Sequence, residues 1–229
     1  LGTYQNKTVG TFAIIFALKG ENAENYILNI QASGTISPKA IEVKLTETAT
    51  FVYNTSNEYV YTLSGEDLIA ITNQLVGGDV LTNATITFLQ TGVCQDKSIA
   101  NITTHNIVVT RDDANVIDCY TFTYVGNITV NARRFAISIT LNENLTYDKT
   151  QKTATIAIEN VDELTDEEKQ NLLKQIVVKY LGAGYESSLA PTNVGLYSVN
   201  VSFENGNYEV VYTEQNPATK QFEITQYQF

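Results

Sequence analysis

The chain of 229 residues contains no methionine, no tryptophan and a single histidine, His105. Serine and cysteine hydrolases usually depend on a histidine base, and zinc sites usually combine several histidine or cysteine ligands. His105 lies in the polar segment Thr103-Thr-His-Asn106, with no recognisable nucleophile motif beside it. The sequence therefore predicts a surface histidine, no catalytic residue, no bound cofactor and no zinc site.

Positive charge and long apolar runs are also scarce. Lysine and arginine number 14 against 25 aspartates and glutamates, so the formal net charge is −11. Such a surface repels nucleic acids and anionic membranes, because both are polyanions. The longest apolar run, residues 12–18, is too short to cross a bilayer. We therefore expect no nucleic-acid partner and no insertion into a membrane.

Two groups of acidic residues carry the oxygen ligands that calcium prefers: Asp112 with Asp113, and residues 162–168. Neither group has the spacing of a known calcium loop. The second group has a simpler interpretation, since acidic side chains stabilise the N-terminus of a helix. No metal ligand is predicted.

Cysteine occurs only twice, at Cys94 and Cys119. In a strand-rich chain with no visible catalytic group, the pair favours a disulfide and an exported protein. Closing this loop would stabilise the fold by roughly 3–4 kcal/mol through chain entropy. Two unrelated thiols are the alternative.

Threonine, asparagine, valine, isoleucine and tyrosine are abundant, a bias typical of strands and turns. The clearest strand follows a turn that contains Pro191 and Gly195. Apolar and polar residues alternate along it, which predicts one face in a core and one in solvent. The core-facing residues are Tyr197, Val199, Val201 and Phe203. The sequence as a whole predicts an all-β fold.

Two short helices are predicted within this β-rich pattern. Thr165 and Glu168 have the spacing of a capping box, in which each side chain binds the other residue's backbone amide. An apolar stripe follows them. Ser64, followed by Glu66 and Asp67, suggests an earlier helix that ends near Leu75.

Similar landmarks recur about every 94 residues. Ile36, Ile128 and Ile224 lie in matching closing strands, and Tyr53 and Tyr147 each precede one of the two helices. The period predicts a partial repeat at residues 1–39 and complete modules at 40–131 and 132–229. Each complete module has a suitable size for a β-sandwich.

The segments Thr146-Tyr-Asp148, Ala190-Pro-Thr-Asn-Val-Gly-Leu-Tyr197, Asn207-Tyr208 and Phe222-Glu-Ile-Thr225 resemble bacterial surface repeats of the MBG or YDG type. Residues 1–45 and 142–229 carry the resemblance, whereas the middle segment matches only at its ends. The resemblance implies tandem Ig-like β-sandwich modules of secreted or wall-attached, often adhesin-like proteins, with no catalytic residues. The helix after each tyrosine landmark leaves a β-grasp-like variant open.

The first repeat lacks its opening half, and the chain begins at Leu1 with no methionine anywhere. One interpretation is a segment excised from a longer array. The other is that a neighbouring subunit supplies the missing strands, because a half-sandwich would present an open edge and an apolar face. A strand is expected over residues 12–18, and the alternation of Tyr26, Leu28 and Ile30 with their neighbours predicts another. The predicted assembly face consists of Phe12, Ile14, Phe16 and Leu18.

Two further hypotheses concern side chains of the predicted modules. Lys39, Lys44 or Lys152 could form an internal isopeptide bond with an asparagine, as occurs in some bacterial Ig-like modules. Four tyrosines could stack on sugars, although their strand positions favour core packing; they are Tyr53, Tyr147, Tyr197 and Tyr208.

These observations predict a non-enzymatic spacer segment of an extracellular bacterial surface or filament protein. Its expected partners are neighbouring repeats or identical subunits, joined by strand complementation through the incomplete repeat. The alternative is an adhesin module that binds a glycan or an extracellular host protein through the atypical middle segment. A third hypothesis is an accessory part of a secreted hydrolase.

Overall fold

The computed structural model describes residues 8–99, 104–141 and 143–228, with only the backbone at residues 104 and 105. Strands far outnumber helices among these residues, which confirms a mostly β fold. The chain divides into two compact units. Unit 1 contains the residues up to 50, 58–90 and 96–129, and unit 2 contains residues 51–57, 91–95 and those from 130 onwards.

Unit 1 begins with a β-hairpin. Strand β1 (Gly10–Ile14) pairs antiparallel with β2 (Ala32–Ile36), and a short 3-10 turn (Ala23–Asn25) lies between them. Strand β3 (Lys39–Lys44) follows. It pairs in parallel with β10 (Tyr120–Val125), which comes from the far end of the unit.

The largest sheet of unit 1 has four antiparallel strands in the order β5 (Glu58–Thr62), β6 (Val80–Leu89), β8 (Thr104–Arg111) and β9 (Ala114–Asn115). Helix α1 (Gly65–Thr72) connects β5 to β6. A bulge between Leu81 and Asn83 shifts the pairing of β6 with β8. Among the residues of this unit that the structure describes, the fully buried apolar ones are Ile41, Val43, Ile71, Ile86 and Val109.

A three-stranded sheet contains β4 (Ala49–Val52), β11 (Asn127–Asn131) and β7 (Cys94–Ser98), with β11 in the centre. The boundaries between the two units fall within all three of these strands. The units are therefore not consecutive segments of the sequence.

Unit 2 contains two further sheets. The first has the order β13 (Ala154–Asn160), β12 (Arg133–Leu141) and β17 (Tyr208–Val210). The second has the order β15 (Tyr185–Ser187), β14 (Val177–Gly182), β16 (Gly195–Ser202) and β18 (Thr219–Ile224). Helix α2 (Asp166–Leu173) connects β13 to β14.

The core of unit 2 confirms the alternation predicted for its central strand. Tyr197, Val199 and Val201 are buried, and Phe203 packs against the same cluster. The cluster also contains residues of β18, which lies beside β16 in the same sheet, and apolar residues of β12 and α2. Burial of this face is the main source of stability for the unit.

The two helices begin in different ways. The predicted capping box of α2 is confirmed: the Glu168 amide donates to the Thr165 hydroxyl at 3.2 Å, and the Thr165 amide donates to Glu168 Oε2 at 2.8 Å. Ser64 precedes α1 but makes no side-chain cap. Asp67 instead turns its carboxylate to the backbone amide of Thr46, at 2.9 Å.

Two expectations for the N-terminal segment were wrong. The strand expected over residues 12–18 covers Gly10–Ile14, and residues 26–31 form no strand despite the alternation of Tyr26, Leu28 and Ile30. A strand needs a partner for its backbone groups. Within the described residues, the hairpin provides one only where β1 faces β2.

The expected disulfide is also corrected, because no bond joins Cys94 and Cys119. Cys94 lies at the start of β7, and Cys119 ends the 3-10 turn before β10. Both residues are half-buried. An even number of cysteines in the sequence therefore did not indicate a bonded pair.

Candidate assembly site

The β1–β2 hairpin has one apolar and one polar face. Phe12 is directly opposite Gly34, and Ile14 is opposite Ala32. Thr11 and Thr35 are paired on the other face, where their hydroxyls lie 3.2 Å apart. This division is the one expected for a strand pair that covers a core on one side only.

The predicted assembly residues lie along this apolar face and its continuation. Phe12 is half-buried, but the exposed fractions of Ile14, Phe16 and Leu18 are 39%, 46% and 43%. A groove of about 590 Å³ runs past Ile14 and Phe16. Ile15 and Ile27 nearby are almost fully exposed. A cluster of exposed aliphatic and aromatic side chains is typical of an interaction surface.

The hairpin has the same register as β16 and β18 of unit 2. Gly10 is opposite Ile36 in the hairpin, and Gly195 is opposite Ile224 in unit 2. Both glycines have left-handed backbone angles, with φ of +146° and +153°. The aromatic residue two positions later lies over each glycine: a Cβ at Gly10 would lie 3.3 Å from Phe12, and one at Gly195 would lie 3.4 Å from Tyr197.

The two strand pairs differ in what covers them. In unit 2, β14 lies along the second edge of β16 and places Gly182 opposite Tyr197 and Tyr180 opposite Val199. In the described part of the chain, β1 has no strand neighbour other than β2. The hairpin therefore has the form of β16 and β18 without the strand that completes their sheet.

The segment after β1 shows the same deficiency. Asn207 and Tyr208 follow β16, and Tyr208 begins β17, which pairs in parallel with Arg133 of β12. Asn25 and Tyr26 follow β1, but 70% of the Tyr26 surface is exposed. Tyr208, by contrast, is half-buried against the core of unit 2.

Other contacts repeat along the chain as well. Tyr120 of β10 is opposite Lys39 of β3, just as Tyr208 is opposite Arg133. The landmark tyrosines also have equivalent bonds. The Tyr53 amide donates to the Asn131 carbonyl at 2.8 Å, and the Tyr147 amide donates to the Thr225 carbonyl at 2.9 Å.

The tyrosines proposed to stack on sugars have different surroundings. Tyr197 is buried in the core of unit 2. The ring of Tyr53 meets that of Tyr208 edge to face, and burial together with the charge of Glu168 raises the pKa of Tyr208 to about 12. Tyr147 borders a surface pocket of about 520 Å³, together with Val194 and Tyr227.

The acidic residues predicted near the helix serve as structural partners. Asp162 accepts from Arg134, at 3.1 Å, and Glu168 accepts from Arg133, at 2.6 Å. Asp112 and Asp113 form a tight turn with positive φ angles. In residues 8–99, 104–141 and 143–228, no three histidine, cysteine or acidic residues lie close enough together to hold a metal ion.

Lys152 is the only one of the three isopeptide candidates that is buried, since Lys39 and Lys44 are exposed. Its Nζ lies 2.7 Å from Asp148 Oδ2, and Asn144 Nδ2 lies 3.3 Å from the same oxygen. The Lys152 ammonium and Thr150 hold the pKa of Asp148 well below its usual range. The geometry is therefore that of an ion pair between Lys152 and Asp148.

His105 lies in β8 opposite Ile86, and its side chain is outside the described residues. No helix in the described part of the chain is long and apolar enough to span a membrane. No family model, no curated protein and no solved structure matches the chain.

Proposed function

We propose that the chain is a non-enzymatic spacer segment of an extracellular bacterial surface or filament protein, built from Ig-like sandwich modules of the MBG or YDG type. The observation that carries this proposal is the repetition of one structural plan. The β1–β2 hairpin and the β16–β18 pair have the same register. The parallel pair β3–β10 corresponds to β12–β17, and the amide hydrogen bond of Tyr53 corresponds to that of Tyr147.

A repeated plan of this kind suits a mechanical role. Each repeat buries its own apolar face and gains further stability from its neighbour. Antiparallel ladders distribute load over many hydrogen bonds, and both units contain such ladders. The partners of such a segment are neighbouring repeats or identical subunits.

Single-molecule stretching of the chain between its two ends tests this function. A spacer is expected to extend in a few abrupt steps, because each cooperative unit releases many residues at about 3.5 Å per residue. It should refold on relaxation and repeat the pattern over many cycles. Gradual extension at low force, without abrupt steps, would contradict a spacer role.

A second candidate function is glycan binding, favoured by the pocket beside Tyr147 and Tyr227. Its lining combines these aromatic rings with Asp148 and Gln226, and such a mixture suits a sugar ring. The pocket lies in unit 2, whereas the sequence pointed to the middle segment. Saturable binding on a glycan array that is lost in Tyr227→Ala would support this function, and absence of binding by the native chain would reject it.

A further inference from the structure

We propose that the exposed edge of β1 is the docking site for a donated strand with the pattern of β14. The donor is a strand of a further repeat of the same plan, outside residues 1–229, and it runs antiparallel to β1 with a glycine opposite Phe12. This inference rests on the proposed assembly of repeats and specifies its partner. The stretching experiment does not involve the donor, so the two proposals fail independently.

The register of the donated strand follows from unit 2. Gly10 corresponds to Gly195, because each glycine has a left-handed backbone angle and lies opposite an isoleucine of the neighbouring strand. Phe12 corresponds to Tyr197, because each ring lies over the glycine two positions earlier. In β14, Gly182 is opposite Tyr197. A docked strand in the same register therefore places its glycine opposite Phe12.

The requirement for glycine is steric. A Cβ on Gly182 would lie 2.6 Å from Cδ1 of Tyr197, closer than carbon atoms approach one another. The Phe12 ring lies over Gly10 in the same manner as the Tyr197 ring lies over Gly195. Any larger residue opposite Phe12 would therefore displace that ring or the strand.

The remaining inward positions of the donor are apolar. Tyr180 is opposite Val199, and Val178 is opposite Val201. The corresponding positions after Phe12 are Ile14 and Phe16, which are exposed in the hairpin and border its groove. The donor pattern is thus an apolar residue, then an aromatic residue and then glycine, at alternate positions. Between them in β14 lie Lys179, which is exposed, and Leu181, which is half-buried.

A donor peptide tests the proposal directly. The probe is a peptide of residues 174–188, which contains β14 and β15 complete, added to the full chain. We expect saturable slowing of hydrogen exchange at the amides of Gly10–Ile14, by tenfold or more at saturation. Fusion of residues 132–188 directly before Tyr4 keeps the spacing to Gly10 and raises the effective concentration to the millimolar range. It should give the same protection without added peptide.

Substitutions in the probe test the register. Gly182→Val should abolish protection, whereas Lys179→Val, at an exposed position of the same strand, should leave it unchanged. Phe12→Ala in the chain removes the ring that Gly182→Val would meet, so this combination should recover part of the protection. If Phe12→Ala itself disturbs the hairpin, the comparison of the two peptides on the native chain still decides the register.

Three outcomes would overturn the proposal. One is unchanged exchange at Gly10–Ile14 with both the peptide and the fusion. Another is equal protection by the Gly182→Val and native peptides, which would show that the contact is not register-specific. The third is a chain that dimerises alone in light scattering with these amides already protected, because a second copy would then occupy the edge.

Discussion

The rings of Tyr53 and Tyr208 meet edge to face, with their centroids 5.4 Å apart. Both residues belong to unit 2, although Tyr53 precedes most of unit 1 in the sequence. The Val93 amide also joins this unit by donating to Asn207 Oδ1 at 3.1 Å. Two short segments from the middle of the chain therefore complete the packing around β17.

Tyr53→Ala is expected to lower the free energy of unfolding of unit 2 by about 1–2 kcal/mol, because it removes a half-buried ring and an aromatic pair. Tyr53→Phe retains the ring and should stay within ~0.5 kcal/mol of the native chain. Urea-dependent hydrogen exchange at Val199 and Val201 reports on this unit. Equal stability of the alanine and phenylalanine variants would show that the ring contact contributes nothing.

The Glu168 carboxylate takes part in the cap of α2 and also accepts hydrogen bonds from Arg133 and Tyr208. Burial opposes its ionisation, but hydrogen bonds from Thr165 and the charge of Arg133 outweigh burial and lower its pKa below the ordinary 4.5. Because the pKa is lower in the folded state, the carboxylate stabilises the fold above about pH 4.5. This contribution is lost as the pH falls through the folded-state pKa.

Glu168→Gln should therefore lower the free energy of unfolding by about 2 kcal/mol at pH 7, since Arg133 loses its charged acceptor. The difference from the native chain should shrink on acidification to pH 3. Glu167→Gln changes an exposed carboxylate in the same turn and is the matched control. A Glu168→Gln deficit that does not change between pH 7 and pH 3 would exclude the carboxylate's charge as its cause.

We expect the two single substitutions of the Lys152–Asp148 ion pair to differ in their effect on stability. Asp148→Asn leaves the buried ammonium without its carboxylate, whereas Lys152→Met removes the charge and fills the site with an apolar side chain. We expect a lower melting temperature for Asp148→Asn than for Lys152→Met. Lys149→Met, at an exposed neighbour, is the control. The opposite order would show that the ammonium has other adequate partners.

The two cysteines should both react as thiols. Since no bond joins Cys94 and Cys119, the unfolded chain is expected to take up two equivalents of maleimide without prior reduction. The Cys94→Ser, Cys119→Ser double variant should melt within a few degrees of the native chain. If the chain reacts with maleimide only after reduction, the disulfide predicted from the sequence is present.

Local patterns in the sequence predicted local structure well. The alternation of Tyr197, Val199 and Val201 identified a buried strand face, and Thr165 with Glu168 identified a helix start; both are confirmed. The prediction at Ser64 had the correct helix but the wrong cap, because Asp67 binds the distant amide of Thr46. Patterns within one turn or one strand depend only on residues that are close in the sequence, so the sequence alone was enough to predict them.

Features that depend on distant partners were not predictable in this way. The alternation at Tyr26 and Leu28 is as regular as that of a real strand, but no strand forms there. In the sequence, nothing distinguished Lys152 from the other lysines. The fold buries it beside Asp148. The candidate assembly residues Phe12 and Phe16 were visible as apolar residues. The exposure of Phe16 became visible only in the structure.

The interleaved course of the chain also limits how the proposed array of repeats could grow. A gene duplication that copied only residues 132–229 would omit residues 51–57 and 91–95, with which unit 2 packs. The new copy would lack the partner ring of Tyr208. Duplications that begin further upstream, before Phe51, would inherit a complete packing unit, so the smallest heritable element of the array is longer than its apparent period.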